Sequence, residues 1–288
     1  MTTEITMPGV YNLTSEEYHA DPVPQRLGGS LSASGSKKLL PPNCPAVFDY
    51  LRHHPQPHKD VFDFGHAAHA RVLGIGAEIV AVDATDWRTN AAKEAKAAAY
   101  AEGKVPLLAE DVQHVEEMAD AIQAHPIAAA LLNPENGKPE QALFRQDEKE
   151  GVWLRSMLDW LPDSGDGRMI VPDYKTAVSA SPAEFAKAVA NYRYHMQDAF
   201  YRDMVMGLGL AEDVAFVFVV QEKTAPYLVT VVELDSEAVR IGRELNREAI
   251  DLYAECQSSG VWPGYSEEVE LIALPAWATY SHNLRSAS

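Results

Sequence analysis

The sequence predicts an α/β fold, a central mixed β-sheet flanked by helices and preceded by a helical N-terminal region. Three observations predict it. Up to residue 126 the apolar residues recur at helical spacing. From residue 140 the period shifts to two. Two further helical stretches, 181–209 and 236–260, then interleave with strand-like runs. With 288 residues, 47% of them hydrophobic, the chain can bury a substantial core.

The elements follow in order. SLSASGSKKLLPPNCPAVFDYLRHH (30–54) reads as a capped helix, a proline-marked break at 41–45 and a second helix. DVFDFGHAAHARVLG (60–74) carries small and apolar residues at helical spacing and stops at Gly74. TDWRTNAAKEAKAAAYAEGK (85–104) is an alanine-rich, charged helix ending at Gly103. AEDVQHVEEMADAIQAHP (109–126) is another, closed by Pro126. EQALFRQ (140–146) and VWLRSMLDWL (152–161) then flank DEKEG as a β-hairpin, and RMIVPDYKT (168–176) is the next strand. The segment 181–209 opens on Ser-Pro and closes in glycines, as one long helix or two. VAFVFVVQEK and YLVTVVEL form a second strand pair around APY. A final helix (236–260) leads into a tail with two prolines.

Several function classes fall away. The longest apolar run, VAFVFVV (214–220), is far too short to cross a bilayer, and the N-terminal residues lack the apolar run of a secretory signal. A soluble, cytoplasmic protein with no membrane partner is expected. Cys44 and Cys256 stand far apart with no CxxC, which speaks against a disulfide framework or a thiolate metal site. A four-cysteine iron–sulfur cluster is excluded by count. The net charge of −18 argues against a protein that coats nucleic acid generally. Any polyanion contact must be local and helped by metal cations. Lys37, Lys38, Arg52, His53, His54 and Lys59 make the N-terminal region locally basic, as a DNA-tracking face or a solvated helix surface.

The chemistry concentrates in MIVPDYKTA (169–177). Asp173 and Lys175 are two apart, so an extended chain points both to one face. In VWLRSMLDW the same alternation groups Trp153, Arg155, Met157 and Asp159, with Asp159 near the strand end. If the two strands are neighbours, two carboxylates and an amine converge. Paired carboxylates repel unless a cation compensates, and oxygen ligands suit Mg²⁺ or Mn²⁺. A lysine beside them could orient or deprotonate a water, which is the equipment for attack on a phosphodiester.

These residues resemble a known superfamily. Asp159…Asp173-Tyr174-Lys175 is similar to the D…(D/E)-x-K core of the PD-(D/E)XK nucleases. Gly65-x-x-x-His69 resembles the G-x-x-x-H element of its RecB-like branch, and Gln197-x-x-x-Tyr201 the Q-x-x-x-Y element. LTSEEYH (13–19), SLSASGSKKLL (30–40), EGK (102–104) and WPGY…LPAW (262–277) extend the resemblance to the exodeoxyribonuclease VIII-like (RecE-type) phage and prophage family, over essentially the whole chain.

The resemblance implies a restriction-endonuclease-like fold and a single nuclease domain over 1–288. Its parts would be a helical N-terminal region (1–59), a catalytic core (60–235) and a C-terminal helix and tail (236–288). It implies a Mg²⁺-dependent exonuclease, with Mn²⁺ able to substitute, that digests linear double-stranded DNA from 5′ ends and leaves 3′ single strands. An annealing protein would be the partner, a homo-oligomeric ring the assembly, and a bacterial host cell the setting. Asp159 and Asp173 would ligate the metal with the Tyr174 carbonyl and the His69 imidazole. Lys175 would position or activate the attacking water. Gln197 and Tyr201, one helical turn apart, would contact DNA or brace the site.

Blander readings stand beside these. Asp173 and Lys175 could be a structural ion pair, His69 a hydrogen-bonded core histidine and Tyr201 a packing residue. His66 competes with His69 as ligand, and His195 reads as structural. Glu140 is a candidate second-metal or water ligand, brought near Asp159 by the hairpin register. Arg155 shares the Asp159 face but lies roughly 13 Å along the strand. Two other functions compete, a nuclease for single-stranded or nicked DNA and a DNA-end-binding or recombinase-loading module. The four-cysteine helicase-associated and CRISPR-associated relatives are disfavoured.

Overall fold

The computed structural model describes residues 4–54, 63–163, 165, 167–276 and 279. The N-terminal part holds β1 (Gly9–Asn12), α1 (Ser15–His19), β2 (Ser30–Ser32), α2 (Ala33–Leu39) and α3 (Pro45–His53). Ser32 caps α2, its Oγ accepting the Gly35 N–H, and Pro45 opens α3 at a position where no N–H is needed. The predicted break at 41–45 therefore lies between two real helices. Lys59 lies outside the described residues.

The next stretch holds α4 (Asp63–Leu73), β3 (Ile79–Val82), α5 (Asn90–Ala101), β4 (Val105–Leu108), α6 (Ala109–Ala124) and α7 (Pro126–Leu131). The helix expected over 85–104 begins only at Asn90, where the Thr89 hydroxyl accepts the Ala92 N–H. Pro126 does not simply close a helix. It starts α7, with His125 Nδ1 accepting the Ala128 N–H as cap. The strands β3 and β4 pair in parallel and were not expected.

The rest follows the predicted order: β5 (Gly137–Gln146), β6 (Trp153–Pro162), β7 (Met169–Ala177), α8 (Pro182–Tyr192), α9 (Tyr194–Gly207), β8 (Val214–Glu222), β9 (Val229–Glu233) and α10 (Ser236–Ser259). The stretch 181–209 resolves into two helices because Arg193 turns left-handed, with φ of 54°.

The sheets are mixed, as expected. β5 and β6 are antiparallel, β2 joins β6 in parallel and β1 flanks β5, while β7 runs parallel to β8 and β8 antiparallel to β9. The strand β8 is buried along nearly its whole length, which explains its unbroken apolar run. β6 and β7 lie against each other, yet among the described residues no ladder joins them. The main core packs β6, β7 and β8 against α2, α8, α9 and α10. A second core under α4 and α6 takes in Trp160, Tyr174 and Val219. Between these two cores runs the line where β6 meets β7, and the site lies on it.

No helix among the described residues is long and apolar enough to cross a membrane. Cys44 and Cys256 are buried free thiols, as the spacing predicts.

Candidate active site

Asp159 sits near the end of β6 and Asp173 near the middle of β7. The two strands part here, and the Asp159 side chain bridges the gap by accepting the Tyr174 N–H at Oδ2, 2.8 Å away. Tyr174 turns its ring to the other side, where its hydroxyl donates to Gln221 Oε1 at 2.6 Å and Gln221 Nε2 donates to the Met118 carbonyl. That anchor ties β7 to β8 and α6 on the face away from Asp159. Alternation then sends Asp173 and Lys175 to the side opposite the Tyr174 ring.

A cavity of about 530 Å³ opens over this junction. His69 and Gly65 reach it from α4, Glu140 from β5, Asp159 from β6, Lys175 from β7, and Gln197 and Tyr201 from α9. Helices and strands far apart in sequence thus deliver the residues singled out by motif to one hollow. A Cβ at Gly65 would meet only Thr176 Oγ1, at 4.0 Å, so the glycine keeps this wall open rather than relieving a clash.

The charges interlock. His69 Nε2 is 3.1 Å from Asp159 Oδ2, and His69 Nδ1 is 3.8 Å from Glu140 Oε1. Lys175 Nζ is 2.5 Å from Asp173 Oδ2. Gln197 Nε2 donates to Asp173 Oδ1 at 2.7 Å. Glu140 has φ of 45°, which opens the hairpin ladder there. The pairs Pro139↔Trp160 and Gln141↔Leu158 continue the same register on either side, so Glu140 stands opposite Asp159.

The two aspartates are driven apart in acidity. Burial and the Asp159 charge push the Asp173 carboxyl up to about 6. Burial alone would raise Asp159 too, but the His69 and Lys175 charges and the Tyr174 N–H hold it below the usual carboxylate range. Burial works against the charged forms of His69 and Lys175, yet the surrounding carboxylates raise both above their ordinary values. Asp159 is held as the anion, while burial and the neighbouring charge make the anionic form of Asp173 costly, a cost that a cation beside the pair would relieve.

The donor set suits a hard divalent cation: two carboxylates beside a third at Glu140, with an imidazole. Asp173 Oδ2 is buried and met by the Lys175 ammonium, a cation standing where a carboxylate oxygen could otherwise ligate a metal. Asp173 is 1% exposed and lies behind the cavity wall, not on it. Among the described residues no three His, Cys, Asp or Glu side chains form a ready-made ligand cage. Each acid instead closes on a neighbouring base, Asp159 on His69 and Asp173 on Lys175. The residues fit a cation by chemistry, and these ion pairs are what it would displace.

The chain matches the PDDEXK-like domain of unknown function (DUF3799) over residues 32–275. It belongs to this family. A crystal structure described as a "Putative exonuclease" from Eubacterium rectale has a similar fold, with a TM-score of 0.59 and 13% sequence identity, covering 93% of this chain and 98% of that one. No match is found among curated proteins.

The remaining candidates of this PDDEXK-like chain sort by contact. His66 also lines the cavity, about one helical turn before His69, and the His69 contacts to Asp159 and Glu140 are those given above. His195 lies off the cavity, its backbone carbonyl pressed against Gly242 of α10, in keeping with a structural reading. Tyr201 both lines the cavity and packs edge-on against Phe216, with ring centres 5.5 Å apart. Arg155 is committed elsewhere: it pairs with Asp21 at 2.6 Å and donates to Ser30 Oγ at 2.8 Å.

Two residues were missed or misplaced from sequence. Lys37, grouped with the basic N-terminal surface, turns into the cavity, and burial and Lys175 push it down to about 8. Tyr194 also lines the cavity; Lys37 Nζ and Lys175 Nζ stand 5.3 Å and 5.5 Å from its ring centre. The signal for Tyr194 was in the sequence, since 194, 197 and 201 fall on one helical face.

Proposed function

We propose that this protein is a metal-dependent exodeoxyribonuclease that hydrolyses linear double-stranded DNA from 5′ ends. The observation that carries the hydrolytic reading is the meeting of Asp159, Asp173, His69 and Lys175 at the β6–β7 junction. Asp159, Asp173, His69 and the Tyr174 carbonyl would hold Mg²⁺ or Mn²⁺, whose charge neutralises the phosphate and stabilises the leaving oxygen. Lys175 works as an ammonium, because the carboxylates beside it hold its proton. It orients the attacking water and neutralises charge on the phosphate oxygens. Gln197 fixes Asp173 Oδ1, which leaves Oδ2 as the oxygen that faces Lys175 and would face the metal. Tyr194 and Lys37 line the same hollow, and Lys37 adds a second cation for the phosphate backbone.

The finer features rest on the RecE-type motifs: 5′→3′ polarity, 3′ single-stranded products, a ring of identical subunits, an annealing partner and a phage or prophage setting. A nuclease for single-stranded or nicked DNA would use the same residues. The test is incubation of purified protein with linear duplex, single-stranded and closed circular DNA, each with Mg²⁺ or EDTA. Nucleotide release confined to linear duplex with Mg²⁺, and lost first from a 5′ label, is the expected result. Release from closed circles would overturn the exonuclease reading, and no release from any substrate would overturn hydrolysis.

A further inference from the structure

A second hollow, of about 400 Å³, runs from the cavity along the end of β7 and the flank of α8. The two are continuous, because Lys175, Thr176 and Tyr194 line both. Its chemistry differs from the rest of the surface. Val178 is 93% exposed and Tyr192 64% exposed at its lip. The Tyr192 and Tyr194 ring centres are 5.6 Å apart, so one aromatic face lies at the active-site end and another in solvent.

The charge is inverted as well. The chain carries 42 acidic and 24 basic side chains, yet the groove lining holds Lys175, Lys187 and Lys223 with Glu184 as its one carboxylate, Lys175 being also paired with the buried Asp173. Glu184 is taken by Lys187 at 2.6 Å. Lys223 has no carboxylate partner among the described residues, and its backbone N–H is tied to the Ala177 carbonyl at 3.2 Å, which holds the groove wall in place. A local cluster of cations in a strongly acidic protein, beside exposed aromatic rings and leading into a candidate phosphodiester site, is the combination that recognises unpaired nucleic acid.

We propose that this groove carries a single strand of polynucleotide to or from the Asp159–Lys175 cavity, with a base stacked on Tyr192 and phosphates against Lys187 and Lys223. A stacked base must be unpaired. The strand's destination rests on the hydrolytic reading above; its binding does not.

The test measures binding in EDTA of fluorescein-labelled oligo(dT), and of a blunt duplex of equal length, to the whole protein. Tyr192→Ala weakens oligo(dT) binding by about 5- to 100-fold, the range for one lost stacking contact. Tyr192→Trp restores it. Lys223→Ala flattens the dependence of binding on salt by about one phosphate contact. Blunt-duplex binding changes less in every case. Wild-type protein that ignores oligo(dT), variants that bind it as wild type does, or equal losses for duplex would each overturn the proposal. Hydrolysis in Mg²⁺ is read separately. Strand binding without hydrolysis keeps the groove and removes the nuclease reading, and hydrolysis without strand binding does the reverse.

Discussion

Asp159 and Tyr174 are joined by a side-chain hydrogen bond of 2.8 Å where, among the described residues, no ladder joins β6 and β7. One Asp159 oxygen thus does the work of a missing ladder while also facing His69. The acid is held rigid at a strand end, which is what a metal ligand requires.

Asp159→Asn keeps the acceptor for the Tyr174 N–H and removes the charge. The folded protein should persist, while the Mn²⁺-induced rise in melting temperature expected of the wild type should vanish. That rise follows from binding to the native state alone, about 2.7 kcal/mol at a hundredfold excess over Kd. A thermal shift titration with Mn²⁺ measures it, and an undiminished shift in the variant would remove Asp159 from the ligand set.

Lys175→Met should lower the hydrolysis rate by about 10²- to 10⁴-fold, the usual contribution of a positioned proton-transfer or water-orienting group. Most of the loss should appear in kcat, since the aliphatic chain still fills the wall beside Tyr194. Steady-state digestion of labelled linear duplex gives the split. A wild-type rate would take the lysine out of the mechanism.

The site was legible where the sequence carries two signals at once. Alternation placed Asp159 and Asp173 on strands, and motif spacing tied them to His69 and Gln197, and all of these meet. The short strands β3 and β4 were not legible, because IVAV and VPLL are four residues each and lie between strong helical patterns. The break at Arg193 had no glycine or proline to announce it; a left-handed arginine is set by the packing of α8 and α9. Lys37 was grouped with a basic N-terminal region, as a DNA-tracking face or a solvated surface, because helical periodicity gives a face, not what the face meets. Strand alternation put Asp173 and Lys175 on one face, but that Lys175 and Gln197 cover Asp173 is a matter of side-chain reach that alternation does not contain.

Asp147 gives a stability prediction with a defined pH window. It is 6% exposed in the turn between β5 and β6, where Arg247 donates to Oδ1 at 2.8 Å and the Glu150 N–H to Oδ2 at 2.9 Å. Burial alone would raise its pKa, but the guanidinium and backbone donors outweigh burial and lower it. A lowered carboxylate binds protons more weakly in the native state than in the unfolded one. Its stabilisation is therefore complete above the unfolded value, about 3.9, and fades as pH falls through the native value. Asp147→Asn should cost about 1–3 kcal/mol at pH 7. The gap from wild type should narrow below about pH 4. Urea denaturation at both pH values checks the sign, and a gap that widens in acid would refute it.

Gly242 marks the tightest contact between α9 and α10. A Cβ there would fall 2.0 Å from the His195 carbonyl oxygen and 2.7 Å from its carbon. Both are backbone atoms near the start of α9, so no rotamer change can relieve the clash, and Ala199 Cβ at 3.1 Å blocks the other side. Gly242→Ala must push the helices apart and should cost more than about 1–3 kcal/mol, the usual cost of overpacking, because backbone has to move. The same shift displaces Gln197, two residues beyond His195, from Asp173. Activity should therefore fall further than the loss of folded protein explains. Specific activity per folded molecule, measured well below the variant's melting temperature, separates the two effects. A Gly242→Ala protein with unchanged stability would show that α9 and α10 are not in contact here, and with that the helix support for Gln197 would fail.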